Sequence, residues 1–288
     1  MSSSCTLSAL KSHVKHLGLV PIKKTLKKDG FNKDYIKLVY STLPQKLADQ
    51  QVSFIIKKFK LKKGMKILDV GCGNGRHSLE FAREGYSVTG IDSSKDLIVL
   101  AKRNARKEKL TIKFTQKDML SLPFIEEFDA VISIFSFGFL TKRDNHKIAV
   151  GKLARSLKKG GRLILATGNS LLKIKNARKN WIKNKKTSLI TNISKKILGD
   201  GIVTTTKEVV DIVSMKQVVE STWKEGGKIH VLMSTMHLFT PNEIKKILTE
   251  SGLRVVGMWS DFDNSHFSHN SKKLIISAIK KELPDNIK

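Results

Sequence analysis

The sequence is poor in cysteine and has no long apolar runs. Its 288 residues include 2 cysteines, Cys5 and Cys72, too few for a disulfide framework or a thiolate metal site. We therefore predict no metal centre, and we expect a reducing, cytoplasmic location. Basic or polar residues interrupt every apolar run well before the roughly 18 residues that a membrane-spanning helix needs. The pattern thus predicts no integral membrane association.

Acidic residues are scarce relative to basic ones. The chain has 54 Lys and Arg against 25 Asp and Glu, a formal net charge of +29. Such a surplus attracts phosphate polymers, so RNA or the ribosome is one expected partner. Of the basic residues, however, 45 are Lys and 9 are Arg. Because phosphate and base recognition favours the planar guanidinium, a lysine excess is also typical of a solvated surface, and both interpretations stay open.

The chain divides into three predicted parts. Residues 1–45 are expected to be a basic N-terminal arm with cap helices, and whether residues 1–30 are ordered or a targeting segment is left open. Residues 46–170 and 236–288 form the expected core. Residues 171–235 are a predicted basic insertion with a β-hairpin lid.

Strands and helices alternate in the core, which is typical of a parallel sheet with helices on both faces. Five strands are predicted at residues 67–70, 87–91, 112–114, 130–135 and 163–166. Two more are predicted at Leu253–Met258 and Leu274–Ile279. Since only about fifteen polar residues join them, too few for a crossover helix, the last strand should run antiparallel.

The insertion breaks this alternation. Nine basic residues fall between Lys173 and Lys196, with no acidic residue before Asp200. Apolar stretches at Glu208–Trp223 and Lys228–Phe239 then flank a Glu-Gly-Gly turn, which predicts a hairpin laid over the core.

The most specific motif is Ile67–Arg76, with the letters ILDVGCGNGR, between a predicted strand and a predicted helix. Glycines at 71, 73 and 75 let the main chain turn tightly and approach a ligand. The following helix offers free backbone amides to an anionic group. A dinucleotide-binding fingerprint would need its third glycine one position later, where Arg76 stands.

Acidic residues stand at three successive strands. Asp69 lies within the motif strand, Asp92 ends the second strand, and Asp118 follows the third. A carboxylate at the Asp92 position can accept hydrogen bonds from two ribose hydroxyls. Each aspartate alone is more often a turn or cap residue, but three in register favour a nucleoside site.

With these residues, the segment Leu61–Lys281 resembles the class I S-adenosylmethionine-dependent methyltransferases. It is similar to a small-molecule N- and O-methyltransferase branch through four short segments, namely Gly75–His77, Ser136–Phe139, Leu238–Pro241 and Asp261–Ser265. The resemblance implies a Rossmann-like, doubly wound α/β fold, a seven-stranded sheet in the order 3-2-1-4-5-7-6, and S-adenosyl-L-methionine as cofactor. Asn74 and His237 depart from the residues common in that branch.

The resemblance also implies a set of site residues. The cofactor-binding candidates are Asp69, Gly71, Gly73, Asn74, Arg76, Asp92, Ser93, Asp118, Met119 and Phe135. Candidates for contact with the acceptor are Phe137, Tyr40 and His237. Three residues, His237, Asp261 and Asp263, are candidates for the base that a protonated amine acceptor would need. Hairpin packing remains the alternative for His237, and turn capping for both aspartates.

Three functions remain to be compared. The leading hypothesis is methyl transfer to an amine or hydroxyl of a small molecule. The alternative is a methyltransferase of RNA or a ribosomal protein, although the chain lacks the diproline motif that stacks a flipped base. A non-catalytic adaptor that keeps the fold is disfavoured because the glycine loop and its three aspartates are intact.

Overall fold

The computed structural model describes residues 31, 35–40, 43–181, 189–198 and 201–281. The predicted basic arm at residues 1–30 and the middle of the basic run lie outside the described residues. Within these ranges, no helix is both long and apolar enough to cross a membrane.

Six α-helices and eleven β-strands make up the described fold. The helices are α1 (Gln45–Phe59), α2 (Arg76–Arg83), α3 (Lys95–Lys107), α4 (Arg143–Ser156), α5 (Ser170–Trp181) and α6 (Pro241–Glu250). The first five strands are β1 (Lys66–Val70), β2 (Ser87–Asp92), β3 (Lys113–Gln116), β4 (Phe128–Ile134) and β5 (Leu157–Gly168). The others are β6 (Leu189–Ile197), β7 (Val203–Asp211), β8 (Lys216–Glu225), β9 (Lys228–His237), β10 (Leu253–Trp259) and β11 (Lys273–Lys280). A π-helical turn, Ile36–Tyr40, precedes α1.

The larger sheet has seven strands in the order β3-β2-β1-β4-β5-β11-β10. Strands β1 to β5 pair in parallel, whereas β11 pairs antiparallel with both β5 and β10. The predicted strand order and the antiparallel last strand are therefore confirmed. The carboxyl ends of the five parallel strands meet at one edge, where a βαβ sheet places its ligand sites.

Apolar layers cover both faces of this sheet, and β1 shows how. Leu68 belongs to a buried cluster with Leu153 of α4 and Leu248 of α6. Its neighbour Ile67 belongs to a second cluster with Ile55 of α1. Because successive side chains of a strand point to opposite faces, one short apolar run fills both layers. Burial of each such Leu or Ile stabilises the fold by about 1.5–3 kcal/mol. This packing holds in place the sheet edge that carries the site.

The insertion forms a four-stranded antiparallel sheet in the order β6-β7-β8-β9, rather than one hairpin. The turn at Gly226 and Gly227 is where the sequence predicts it, and both glycines have positive φ. The predicted strand Glu208–Trp223, however, is broken by a turn at residues 212–215. That turn contains the 80% exposed Val213 and neither Gly nor Pro, so nothing in the pattern marks it as a break.

Candidate functional site

The glycine loop between β1 and α2 depends on backbone conformations that other residues adopt with strain. Gly71, Gly73 and Gly75 have φ values of +73°, +58° and +84°. The loop is also closely packed. A Cβ on Gly71 would lie 2.3 Å from the Ser136 Cβ, and one on Gly73 would lie 1.9 Å from the Tyr40 hydroxyl. Glycine is therefore required by φ and by space at once.

Asp92, at the end of β2, holds this loop in place. One of its carboxylate oxygens accepts a hydrogen bond from the Gly73 amide, and the other accepts from the Ser94 amide, each at 2.9 Å. Only 8% of the residue is exposed, and burial raises the pKa of its carboxyl. Each oxygen keeps a further lone pair, so the carboxylate can still accept hydrogen bonds from a ligand.

Asp69 is buried in β1, two residues before the loop begins. Its carboxylate accepts a hydrogen bond of 2.6 Å from the Ser78 hydroxyl, which ties β1 to α2. Burial raises the pKa of Asp69 to about 6, while the Ser78 bond and the nearby Arg76 charge oppose that rise. Asp69 thus joins the strand before the loop to the helix after it.

Arg76, the first residue of α2, carries a buried cation. Its Nη1 atom is buried and has no hydrogen-bond partner among the described residues. Burial lowers the pKa of the guanidinium, and the neighbouring Tyr40 and Asp69 oppose that shift. Because buried charged donors are costly to leave unpaired, this nitrogen indicates an anionic ligand.

A cavity of about 550 Å³ opens over the loop at the sheet edge. Asp92 and Asp118 both line it, so the carboxylates that follow β2 and β3 face one space. Three N-terminal aromatic residues close one side. Phe31 packs edge-on against Tyr35 and Phe139, each with ring centroids 4.8 Å apart, and Tyr35 lies 5.8 Å from Tyr40.

The structure brings together only part of the predicted set. Eight candidates line the cavity: Tyr40, Gly71, Arg76, Asp92, Ser93, Asp118, Met119 and Phe135. Seven lie outside its lining: Asp69, Gly73, Asn74, Phe137, His237, Asp261 and Asp263. Of these, Gly73 and Asn74 belong to the loop itself, and Asp69 belongs to the strand before it.

The phenylalanines after β4 divide between the core and the cavity. Phe135 and Phe139 line the cavity, and Phe135 is held at a φ of +56° with 37% of its surface exposed. Phe137, a predicted acceptor contact, is 1% exposed and stacks on Phe239 with centroids 4.9 Å apart. Phe137 thus packs in the core and does not line the cavity.

His237 and the two C-terminal aspartates lie elsewhere. His237 is buried at the end of β9, where it donates a hydrogen bond to Glu243. Asp261 and Asp263 line a neighbouring open groove of about 1000 Å³ between α1 and the loop before β11. Lys273 lines both this groove and the cavity and forms a 2.5 Å ion pair with Asp261.

Several lining residues are absent from the predicted set, among them Phe31, Gln51, His77, Lys117, Ser136 and Lys273. His77 donates a 2.7 Å hydrogen bond to Gln51 of α1, and burial holds its pKa well below the usual value, so it is neutral at pH 7. The segment Gly75–His77, which resembles the methyltransferase branch, could have indicated His77 as a site residue. Nothing local marks Gln51 or Lys273, which the packing of α1 and β11 brings to this edge.

Comparison with known sequences supports one interpretation of this cavity. Residues 67–161 match a family described as a methyltransferase domain. A Geobacillus sp. (strain WCH70) protein whose name marks it as a presumed methyltransferase is 28% identical over 250 residues, which cover 81% of this chain and 92% of that protein.

Solved structures show the same fold at low sequence identity. The CcbJ methyltransferase from Streptomyces caelestis aligns with a TM-score of 0.72 at 18% identity, covering 86% of this chain and 96% of that one. The amino pentose methyltransferase CalS10 from Micromonospora echinaspora, solved with S-adenosylmethionine bound, aligns with a TM-score of 0.64 at 16% identity. That alignment covers 90% of this chain and 99% of CalS10.

Proposed function

Because the chain is a class I S-adenosylmethionine-dependent methyltransferase, we propose that it transfers a methyl group to an amine or hydroxyl of a small molecule. One observation carries the proposal. A single cavity combines the glycine loop, the buried Asp92 carboxylate and an Arg76 guanidinium nitrogen that has no partner among the described residues. These groups complement the two polar ends of an adenosyl amino acid, and the aromatic wall beside them suits an organic acceptor.

The residues present fit the cofactor, which supplies a methyl group activated by a positive sulfonium. Arg76 would bind its carboxylate, because the buried Nη1 needs a negative partner. Asp92 would accept hydrogen bonds from the ribose hydroxyls while it holds the Gly73 amide. Asp118 and Met119, at the cavity rim, would contact the adenine.

The acceptor would occupy the aromatic side of the cavity. Phe135, Phe139, Leu140 and Tyr35 form its wall and exclude water. Alignment of two bound reactants can supply roughly 7–11 kcal/mol of the barrier, so this wall contributes by orienting the nucleophile. The cavity of about 550 Å³ is within the range of sites for small molecules and would hold the cofactor and the acceptor together. CalS10, which shares the fold, is named for an amino sugar.

Label transfer tests the proposal directly. The purified protein is incubated with methyl-tritiated S-adenosylmethionine and, separately, with a small-molecule cell extract, bulk RNA or ribosomes. We expect label in the low-molecular-mass fraction, and none with an Asp92→Ala variant that has lost the ribose contact. Label that enters only RNA or ribosomal protein would overturn the acceptor class. Failure to bind the cofactor at all would overturn the assignment of the site.

The net charge of +29 favours a second candidate, methylation of RNA or a ribosomal protein. In the inserted sheet, Lys195 and Lys196 of β6 are both exposed. Binding of bulk RNA measured against salt separates the two candidates. A steep salt slope with binding that persists near physiological salt would favour RNA, whereas weak binding that vanishes there supports the small-molecule acceptor.

A further inference from the structure

A buried cluster of two histidines and one glutamate lies outside the cofactor cavity. His146 of α4 is 0% exposed and His237 at the end of β9 is 6% exposed, with ring centroids 4.6 Å apart. His237 donates a 3.0 Å hydrogen bond to Glu243 in the first turn of α6. One ring nitrogen or carboxylate oxygen from each residue lies within 4.8 Å of the others. The proposed function uses none of the three.

The hydrogen bond of His146 determines which of its nitrogens is available. Its Nε2 atom lies 2.5 Å from the Leu140 carbonyl oxygen and must carry the proton, since a carbonyl can only accept. The Nδ1 atom then presents a lone pair, and it is buried with no hydrogen-bond partner among the described residues. A ring that donates one N–H to a backbone carbonyl and leaves the other nitrogen free is in the state of a metal-binding histidine.

The neighbours of the cluster complete this pattern. Phe239 packs on both imidazoles, with centroids 4.5 Å from His146 and 4.4 Å from His237, which excludes water from the rings. The backbone of Glu243 is also held in place, because its amide donates a hydrogen bond to the Thr240 side chain. Two imidazoles and a carboxylate are ligands that Zn²⁺ and similar divalent cations prefer.

We infer that His146, His237 and Glu243 bind one divalent transition-metal ion, with Zn²⁺ as the natural probe. Zinc bonds of about 2.0–2.1 Å in tetrahedral geometry space the ligand atoms about 3.4 Å apart. The widest separation in the cluster would therefore close by about 1.4 Å or less, within the range of side-chain rotation. The ion would join α4, α6 and the last strand of the insertion at one point.

The position suggests what such an ion would do. Leu140, whose carbonyl holds His146, lines the cavity, and the Gly138 position lies beside the His237 carbonyl oxygen. An ion at the cluster would thus fix the turn after β4, which carries the acceptor wall, against the base of the inserted sheet. Its role here is structural, because the cluster is buried away from the cavity lining.

Metal binding by the full chain tests the inference. Protein stripped with a chelator and dialysed is titrated with ZnCl₂ by calorimetry, beside His146→Gln, His237→Gln and the control His230→Gln. His230 lies on the same strand and stacks on Trp223, away from the cluster. We expect one zinc per chain at micromolar affinity or better, weakened at least about tenfold by the first two changes and unchanged by the third. Wild-type binding weaker than this, or equal binding by all variants, would overturn the site.

A spectroscopic measurement keeps the test independent of folding by the variants. Co²⁺ added to the stripped wild-type protein should give the intense visible bands of a tetrahedral site with nitrogen ligands, and Zn²⁺ should displace it. Weak, octahedral-type bands would overturn the inference. Titration with S-adenosylhomocysteine, which binds elsewhere, shows whether each variant is folded.

Discussion

Replacing Arg76 by Met separates recognition of the cofactor from support of the fold. Methionine retains an unbranched side chain in α2 but removes the buried guanidinium, whose Nη1 atom lacks a partner in the described structure. If this nitrogen binds the carboxylate of the cofactor, the variant should lose affinity only for ligands that have that carboxylate. S-adenosylhomocysteine has it, whereas 5′-methylthioadenosine has the same nucleoside without the amino acid.

The magnitude follows from a single charged hydrogen bond. Such a bond contributes about 1.5–3 kcal/mol, so affinity for S-adenosylhomocysteine should fall by roughly 10- to 150-fold. Affinity for methylthioadenosine should stay within about threefold. For the free protein, removal of an unpartnered buried donor relieves about 1–3 kcal/mol of desolvation. Loss of the charge near Asp69 opposes that gain, so the free energy of unfolding should change little.

Calorimetric titration with both ligands and urea unfolding of the free protein provide these values. Arg83→Met is the matched control, because Arg83 ends the same helix and pairs with Glu80 and Glu108 on the surface. Its affinity for both ligands should equal that of the wild type. If Arg76→Met weakens the two ligands equally, or neither, then Arg76 does not bind the carboxylate.

Three further changes probe the surroundings of the site by urea unfolding. Gly73→Ala, at a φ of +58° and with its Cβ 1.9 Å from the Tyr40 hydroxyl, should cost at least about 1–2 kcal/mol. The same change should cost less stability in a Tyr40→Ala background. Equal costs in the two backgrounds would contradict the close contact between position 73 and the Tyr40 hydroxyl. The folded-state pKa of Asp69, about 6, lies above its ordinary 3.8, so ionising it destabilises the fold, by about 3 kcal/mol as pH rises through roughly 4 to 6. Asp69→Asn should remove that part of the pH dependence, and parallel curves for the two proteins would refute the assignment. Thr240→Ala, which loses the side-chain acceptor of the Glu243 amide at 3.2 Å, should cost about 1 kcal/mol while Thr240→Ser retains stability; a loss in both would exclude the cap.

The core of the fold was predictable because its signals are local. Short apolar strands and the glycine loop each act within a few residues, and their order implies the crossover connections. The inserted sheet was less predictable for the opposite reason. Strand β6 lies in a lysine-rich stretch, and the turn after β7 has no glycine or proline, so pairing between strands determines both.

The same contrast applies to the site. Residues at or just after the ends of parallel strands, such as Asp92 and Asp118, were predictable because those strand ends share one edge of the sheet. Lys273 was missed because it starts an antiparallel strand, whose amino end reaches that edge beside the end of β5. Gln51 comes from α1, and only packing of that helix over the sheet places it beside His77.

The charge of the chain and the chemistry of the cavity are separate properties. Three cationic side chains, Arg76, Lys117 and Lys273, line the cavity against two carboxylates, Asp92 and Asp118, a formal surplus of one. The whole chain has a surplus of 29. Nearly all of the excess charge therefore lies away from the reacting groups. Because salt screens exposed charges that are more than about 10 Å apart, this excess acts only weakly on a ligand in the cavity. If the proposed function is right, a large anionic partner should therefore contact lysines outside the cavity, and we expect the cavity wall to select the acceptor atom.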